Sequence, residues 1–179
     1  LLEIDLVGEL PNSNGFTHVL AAVDVFSRYL FAIPIRKPDT HSVVRALMSI
    51  FTRHAYVPTT ILTDKGSQFT AEVIEELTQK SGIIIEHATI KHAQTIGVIE
   101  RNHQRLKQIL KINVAADSPQ WDRYVNFAVM AHNTTYHSSL KCTPSEVFHG
   151  RVPYNALELK FKNPIEMQDR TTKISKIVD

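Results

Sequence analysis

Thr60-Ile61-Leu62-Thr63-Asp64-Lys65-Gly66-Ser67-Gln68-Phe69 is the stretch that decides the fold. Its first four residues are apolar or β-branched, the composition of a packed strand. They run into an aspartate and a glycine-containing turn, the kind of strand end that carries ligand sites in α/β sheets. Upstream, Asp39-Thr40 can cap a helix whose apolar residues Val43, Leu47, Ile50 and Phe51 recur at helical spacing and which ends before Pro58. Downstream, a second helix is expected to start near Thr70, bury Val73, Ile74 and Leu77, and stop at Gly82, with a strand over residues 83–86 beyond it. Strands that alternate with helices in this way imply parallel crossovers.

The N-terminal third reads differently. Leu2, Ile4 and Leu6 alternate with Leu1, Glu3, Asp5 and Val7, and Pro11-Asn12-Ser13-Asn14-Gly15 follows as a turn. Residues 17–25 and 28–35 are rich in β-branched and aromatic side chains and meet at Phe26-Ser27, which predicts an antiparallel meander of three strands. After Gly97 the pattern is helical. One helix is expected over residues 98–114, and another from Ser118, with Pro119 in its first turn, to about Tyr136. A last short helix begins at Thr143-Pro144-Ser145-Glu146, where Thr143 and Glu146 have capping-box spacing, and ends at Gly150. The expected fold is therefore α/β, a five-stranded mixed sheet flanked by helices on both faces. Residues 1–153 are expected to form the core, and the Lys-rich, weakly periodic residues 154–179 a linker or tail.

Composition bounds the function. The chain has 179 residues, 43% hydrophobic and 21% charged, which suits one globular domain that needs no disulfide or structural metal to fold. A lone cysteine, Cys142, excludes an internal disulfide framework and a multi-Cys zinc module and fits a reducing compartment. The longest apolar runs, residues 19–23 and 29–33, fall far short of the roughly 18 residues a membrane helix requires, so no membrane role is expected. Residues 1–8 have no basic start before an apolar core and read as a strand, as if cut from a longer chain. With 20 Lys+Arg against 18 Asp+Glu, the net charge of +2 does not itself indicate a nucleic-acid partner. The position of the charges has to decide.

Three acids stand out. Asp5 sits inside an apolar strand, where an ionised carboxylate is costly unless paired; the bland alternative is a solvent-facing acid with a Lys partner. Asp64 ends the strand quoted above, where an Asx turn is the alternative. Glu100 is the one acid in a helix carrying Arg101, Arg105, Lys107 and Lys111, with a solvated face as its alternative. If the first and fourth strands are neighbours, Asp5 and Asp64 meet at the sheet's centre, and a helix crossing that edge adds Glu100. Three carboxylates without His or Cys form a hard oxygen site suited to Mg²⁺ or Mn²⁺. Two such ions about 3.5–4 Å apart serve in-line displacement at phosphorus, which is phosphodiester chemistry.

The basic residues fit that substrate. Glu100, His103, Gln104, Lys107 and Lys111 fall at i, i+3, i+4, i+7 and i+11 on one helix face, beside an apolar stripe of Ile99, Leu106, Leu110 and Val114. The polar face sets cations next to the acids, where DNA phosphates must come, with Lys91 and Arg101 nearby. A purely solubilising basic helix is the alternative.

Leu62-Thr63-Asp64-Lys65-Gly66-Ser67-Gln68-Phe69 and Gln94-Thr95-Ile96-Gly97-Val98-Ile99-Glu100-Arg101, with 35 residues between Asp64 and Glu100, resemble the second and third acidic motifs of retroviral and gypsy-type retrotransposon integrases. Ile4-Asp5 resembles the first motif. His132-Asn133-Thr134-Thr135-Tyr136-His137-Ser138-Ser139-Leu140, then Thr143-Pro144 and Phe148-His149-Gly150-Arg151, resemble the Asn-x-x-x-His-x-Ser, Thr-Pro and Phe-x-Gly-Arg pattern that follows the core of such enzymes. The resemblance implies a ribonuclease H-like fold and a polynucleotidyl transferase that trims element DNA ends and joins the 3′-hydroxyl to host DNA. It implies Asp5, Asp64 and Glu100 as catalytic residues and ligands of two Mg²⁺ or Mn²⁺ ions. It further implies DNA contacts by Lys91, Gln94, Arg101, Gln104, Lys107 and Lys111, a homo-oligomer, and work in the nucleus on retroelement ends and host target DNA. Thr95-Ile96 departs from the Ser/Thr-Asn or Ser-Gln pair common before that glycine. The family's zinc-binding and small β-barrel domains are not recognisable, so the expectation is a catalytic core alone or a fragment. The competing expectation is a domesticated descendant that keeps the fold as a DNA-binding or protein-interaction module.

Other residues have plainer expectations. Trp121, Tyr124, Val125, Ala128 and Val129 repeat at helical spacing and predict core or dimer surface. His87 with His92, and His132 with His137, lack the further ligands a zinc site needs. Asp24 is expected to shape a turn, and Cys142 to pack as a small side chain.

Overall fold

The structure is a computed structural model that describes residues 1–63, 81–87 and 120–151. Strands β1 (Leu2–Val7), β2 (His18–Asp24) and β3 (Leu30–Ile35) form the expected antiparallel meander. Helix α1 (Thr40–His54) then carries the chain to β4 (Thr60–Thr63), which lies parallel to β1, and β5 (Ile84–His87) lies parallel to β4. The sheet order is β3-β2-β1-β4-β5, so β1 is central. Helices α2 (Trp121–Thr134) and α3 (Pro144–His149) complete the described elements. Among the described residues no helix is long and apolar enough to cross a membrane.

The period-2 alternation of the strands sorts two cores onto the two faces. Leu2, Ile4, Leu20, Ala22, Phe31, Ile35 and Ile61 pack against Val43, Leu47, Ile50 and Phe51 of α1. Val7, Val19, Ala21, Val23, Leu30 and Ala32 pack on the other face against Trp121 and Val125 of α2. Being covered on both sides, β2 is apolar almost throughout, as a doubly buried strand must be.

The termini of α1 follow from local chemistry. Asp39 accepts the Ser42 N–H at 2.8 Å as N-cap, and Ala55 closes the helix in the left-handed conformation at φ 48°. Ser81 is helical and Gly82 adopts φ 68°, the stop expected there; the remainder of that predicted helix, and the one over residues 98–114, lie outside the described residues. In α3, Thr143 and Glu146 form a complete capping box and Gly150 ends the helix at φ 62°.

Three boundaries differ from expectation. α2 starts at Trp121 after Gln120, without a side-chain cap, and stops at Thr134 rather than Tyr136, because Thr135 is already extended. β5 runs one residue later than the apolar pattern suggests. β3 starts at Leu30, not Arg28: Asp24 accepts from the Ser27 N–H and hydroxyl, and the chain turns through Arg28 at φ 62°.

The edge strand β3 is closed by side chains. Asn133 Oδ1 accepts the Leu30 N–H at 2.8 Å and Nδ2 donates to the Leu30 carbonyl at 2.9 Å, so one amide completes the ladder that β3 lacks on its outer side. Pro34, four residues on, shares that outward phase, and its missing N–H therefore removes no bond to β2. Phe148 of α3 stacks on Tyr29 at 4.3 Å and meets Phe31 and Tyr56, so the segment after α2 wraps the same edge. At its other end α2 is fixed to the β1–β2 turn, where the Trp121 indole N–H donates to Pro11 O and Asp122 accepts from Ser13 and Asn14.

Candidate active site

Asp5 is half-buried on the central strand, opposite Ala21 of β2. On its other side the parallel register runs Leu2 to Ile61, Glu3 to Leu62 and Ile4 to Thr63. The residues that follow the last of these pairs in sequence are the two aspartates, Asp5 and Asp64. Adjacency of the first and fourth strands, on which the pairing of those acids depends, is therefore present. Asp64 and Glu100 lie outside the described residues, as do Lys91, Gln94, Arg101, Gln104, Lys107 and Lys111.

Glu3 is a site residue that the sequence reading passed over. Two residues from Asp5 on one strand, it shares the same face, and the period-2 rule alone places the two carboxyls side by side. Burial pushes the Glu3 carboxyl up to about 8, the Asp5 charge adds to the rise, and the Arg28 guanidinium opposes it. Burial in turn lowers Arg28, against Asp24 and Glu3, which raise it. Among the described residues Glu3 Oε2 and Arg28 Nε are buried with no hydrogen-bond partner. This end of β1 thus resists a second negative charge and favours a cation. Asp5 supplies carboxylate oxygens, the donor type a hard divalent ion takes, whereas Glu3, raised to about 8, is largely protonated near neutral pH.

The other expected roles resolve locally. Asp24 shapes its turn and accepts from the Tyr56 hydroxyl at 3.0 Å; burial, reinforced by the Asp24 charge and that bond, pushes Tyr56 far above the ordinary tyrosine range. His132 is buried and its Nε2 lies 3.2 Å from Arg28 O, and His137 Nδ1 lies 3.0 Å from Ser139 Oγ. Cys142 is buried beside Leu140 O. Trp121, Val125 and Ala128 are core, whereas Tyr124 is exposed. Among the described residues no group of three or more His, Cys, Asp or Glu side chains is placed to hold a metal.

A five-stranded mixed sheet with helices on both faces is the ribonuclease H-like arrangement, and the catalytic core domain of BIV integrase shares that fold. That structure matches with a TM-score of 0.67 and 22% identity, covering 90% of this chain and 97% of that one. Residues 1–92 match the integrase core domain family model, and the chain belongs to that family. It is 33% identical over 147 residues to the Pro-Pol polyprotein of simian foamy virus type 3 (strain LK3), covering 82% of this chain. It is 29% identical over 177 residues to the retrovirus-related Pol polyprotein from transposon 412 of Drosophila melanogaster, covering 97% of this chain. The chain spans 13% and 14% of the length of those two relatives.

Proposed function

We propose that this chain is the catalytic core of a retroelement integrase, a metal-dependent polynucleotidyl transferase that processes the 3′ ends of element DNA and joins them to host DNA. One observation carries the reading. In a member of the integrase core family, the parallel register of β1 and β4 ends at Ile4 and Thr63, and an aspartate follows in each segment. Asp5, Asp64 and Glu100 are the proposed metal ligands. Two divalent cations, Mg²⁺ or Mn²⁺, when bound would activate the attacking oxygen and stabilise the leaving one. Asp5 supplies its carboxylate from a rigid central strand, which holds a ligand more closely than a loop does. Arg28 opposes the rise of the Glu3 carboxyl that burial and the Asp5 charge drive. Lys91, Gln94, Arg101, Gln104, Lys107 and Lys111 are proposed to hold the element's DNA end through phosphate contacts. The active form is proposed to be a homo-oligomer working in the nucleus, where host DNA lies.

A strand-transfer assay with Mg²⁺ and labelled element-end DNA tests this. The chain is expected to join ends, and Asp5→Asn, Asp64→Asn and Glu100→Gln each to abolish joining while leaving the melting temperature nearly unchanged. Full activity in any of the three variants refutes the ligand assignment. Absence of joining in the wild type, with DNA binding retained, supports the DNA-binding module instead.

A further inference from the structure

We propose that a second site, a cationic groove between the end of β3 and the first turns of α1, binds the phosphodiester backbone of duplex DNA. This rests on DNA being the substrate, and adds a contact surface that none of the expected DNA-binding residues includes. The groove has a volume of about 470 Å³, and its lining includes Phe16, Arg36, His41, Ser42, Arg45 and Ser49. Two arginines from different elements converge there. Guanidinium groups with flanking hydroxyls suit phosphate, because the planar fork matches two oxygens at once and serines add neutral donors.

Arg36 is held in place. Its guanidinium carbon lies 5.8 Å from the centroid of the Phe16 ring, and Thr17 Oγ1 donates to its carbonyl at 2.7 Å. The turn below it is rigid: Ser13 and Phe16 exchange backbone hydrogen bonds, Gly15 at φ 86° donates to Asn12, and Asp122 of α2 fastens Ser13 and Asn14. Arg45 projects from α1 one turn beyond His41, and both are exposed. Asp39 also lines the groove, but its carboxylate caps Ser42 and faces the positive end of the α1 dipole. Arg36 and Arg45, with Lys37 close enough to act on Asp39, leave the groove cationic even with His41 neutral.

Position favours an extended polyanion over a small one. Val7, Val19 and Pro34 form one row across the sheet, so β1 and β3 end at the same edge. By strand spacing Arg36 lies about 16 Å from Asp5, a span of roughly five base-pair rises. Asp5 belongs to the α2 side and the groove to the α1 side, so a duplex touching both lies across the end of the sheet. Exposed arginines gain affinity when several contacts are linked in one ligand, which DNA provides and a free phosphate does not.

The test uses the full 179-residue chain and a fluorescein-labelled random-sequence duplex, with anisotropy followed across a salt series. Arg36→Gln/Arg45→Gln removes two phosphate contacts and is expected to flatten the log Kobs against log [salt] slope by about 1.8. Between about 50 and 200 mM salt, the wild type should lose affinity by a factor roughly tenfold larger than the variant does. Arg36→Lys/Arg45→Lys, which keeps the charges, should keep the slope. Should the double Gln variant melt early, Arg45→Gln alone is read at an expected change of about 0.9. Equal slopes in wild type and Gln variant overturn the proposal. So does loss of pyrophosphate binding with duplex binding unchanged, or a change confined to self-association. A chain that joins DNA ends but shows equal slopes rejects the groove alone; one with the expected slopes but no joining rejects the catalytic reading alone.

Discussion

Replacing Asn133 with Ala tests how the edge of the sheet is held. Asn133 is 3% exposed and Leu30 1% exposed, and the amide makes two bonds to the Leu30 backbone. Truncation leaves a buried N–H and a buried C=O without partners, each costing about 1–3 kcal/mol. With partial relaxation of the strand the sum is about 2–4 kcal/mol, or roughly 5–12 °C in melting temperature for a domain of this size. Asn133→Asp is the companion variant. Its carboxylate can still accept the Leu30 N–H, but it opposes the Leu30 carbonyl with a second oxygen and buries a charge, so it should be equally damaging near neutrality and recover in part on acidification. Calorimetry or circular dichroism melts of the chain measure both. An Ala variant melting within about 2 °C of wild type would show that the clamp contributes little and refute this account of the edge.

Burial, reinforced by Arg53, lowers His54; burial, reinforced by Arg151 and His54, lowers His149. Their folded values lie below the unfolded one of 6.5, so the unfolded chain binds more protons below that point. The histidines' own contribution should be full above pH 6.5 and fall as pH drops below it, while Glu3, raised to about 8, acts in the opposite sense in both proteins; the urea midpoint of wild type relative to H54Q/H149Q should therefore be lower at about pH 5.5 than at about pH 7.5. Thr143→Ala opens the α3 capping box and should cost about 1 kcal/mol, visible as a melting shift of roughly 2–4 °C. Trp121→Ala empties the centre of the α2-facing core and should cost about 3–5 kcal/mol in urea unfolding, against under about 1 kcal/mol for the exposed Tyr124→Ala.

The elements most legible in the sequence were those whose signals are local. Asp39 as a cap, the Thr143 to Glu146 box, Gly82 and Gly150 as stops and the alternation of β1 each depend on residues within one or two turns. The adjacency of β1 and β4 was the condition on which the meeting of Asp5 and Asp64 depended, and the parallel register supplies it as far as Ile4 and Thr63. Part of what escaped depends on contacts across more than a hundred residues. Asn133 stood out only as the first residue of the Asn-x-x-x-His-x-Ser pattern, and its bonds to Leu30 appear only when α2 meets the edge strand. The late start of β3 was hidden because Arg28 takes a left-handed conformation uncommon for its residue type, fixed by Asp24 and Ser27. Glu3 was legible and missed: alternation places it beside Asp5, whereas its perturbation depends on burial that only the assembled sheet supplies.

The central claim is that Asp5, Asp64 and Glu100 together hold divalent cations, and a Mn²⁺ titration followed by thermal unfolding tests it most directly. At about a hundred times the dissociation constant, binding should stabilise the wild-type chain by about 2.7 kcal/mol, or roughly 5–10 °C. Asp5→Asn and Glu100→Gln should each remove most of that gain. A wild-type melting temperature unmoved at millimolar Mn²⁺, or an equal gain in both variants, would contradict the claim.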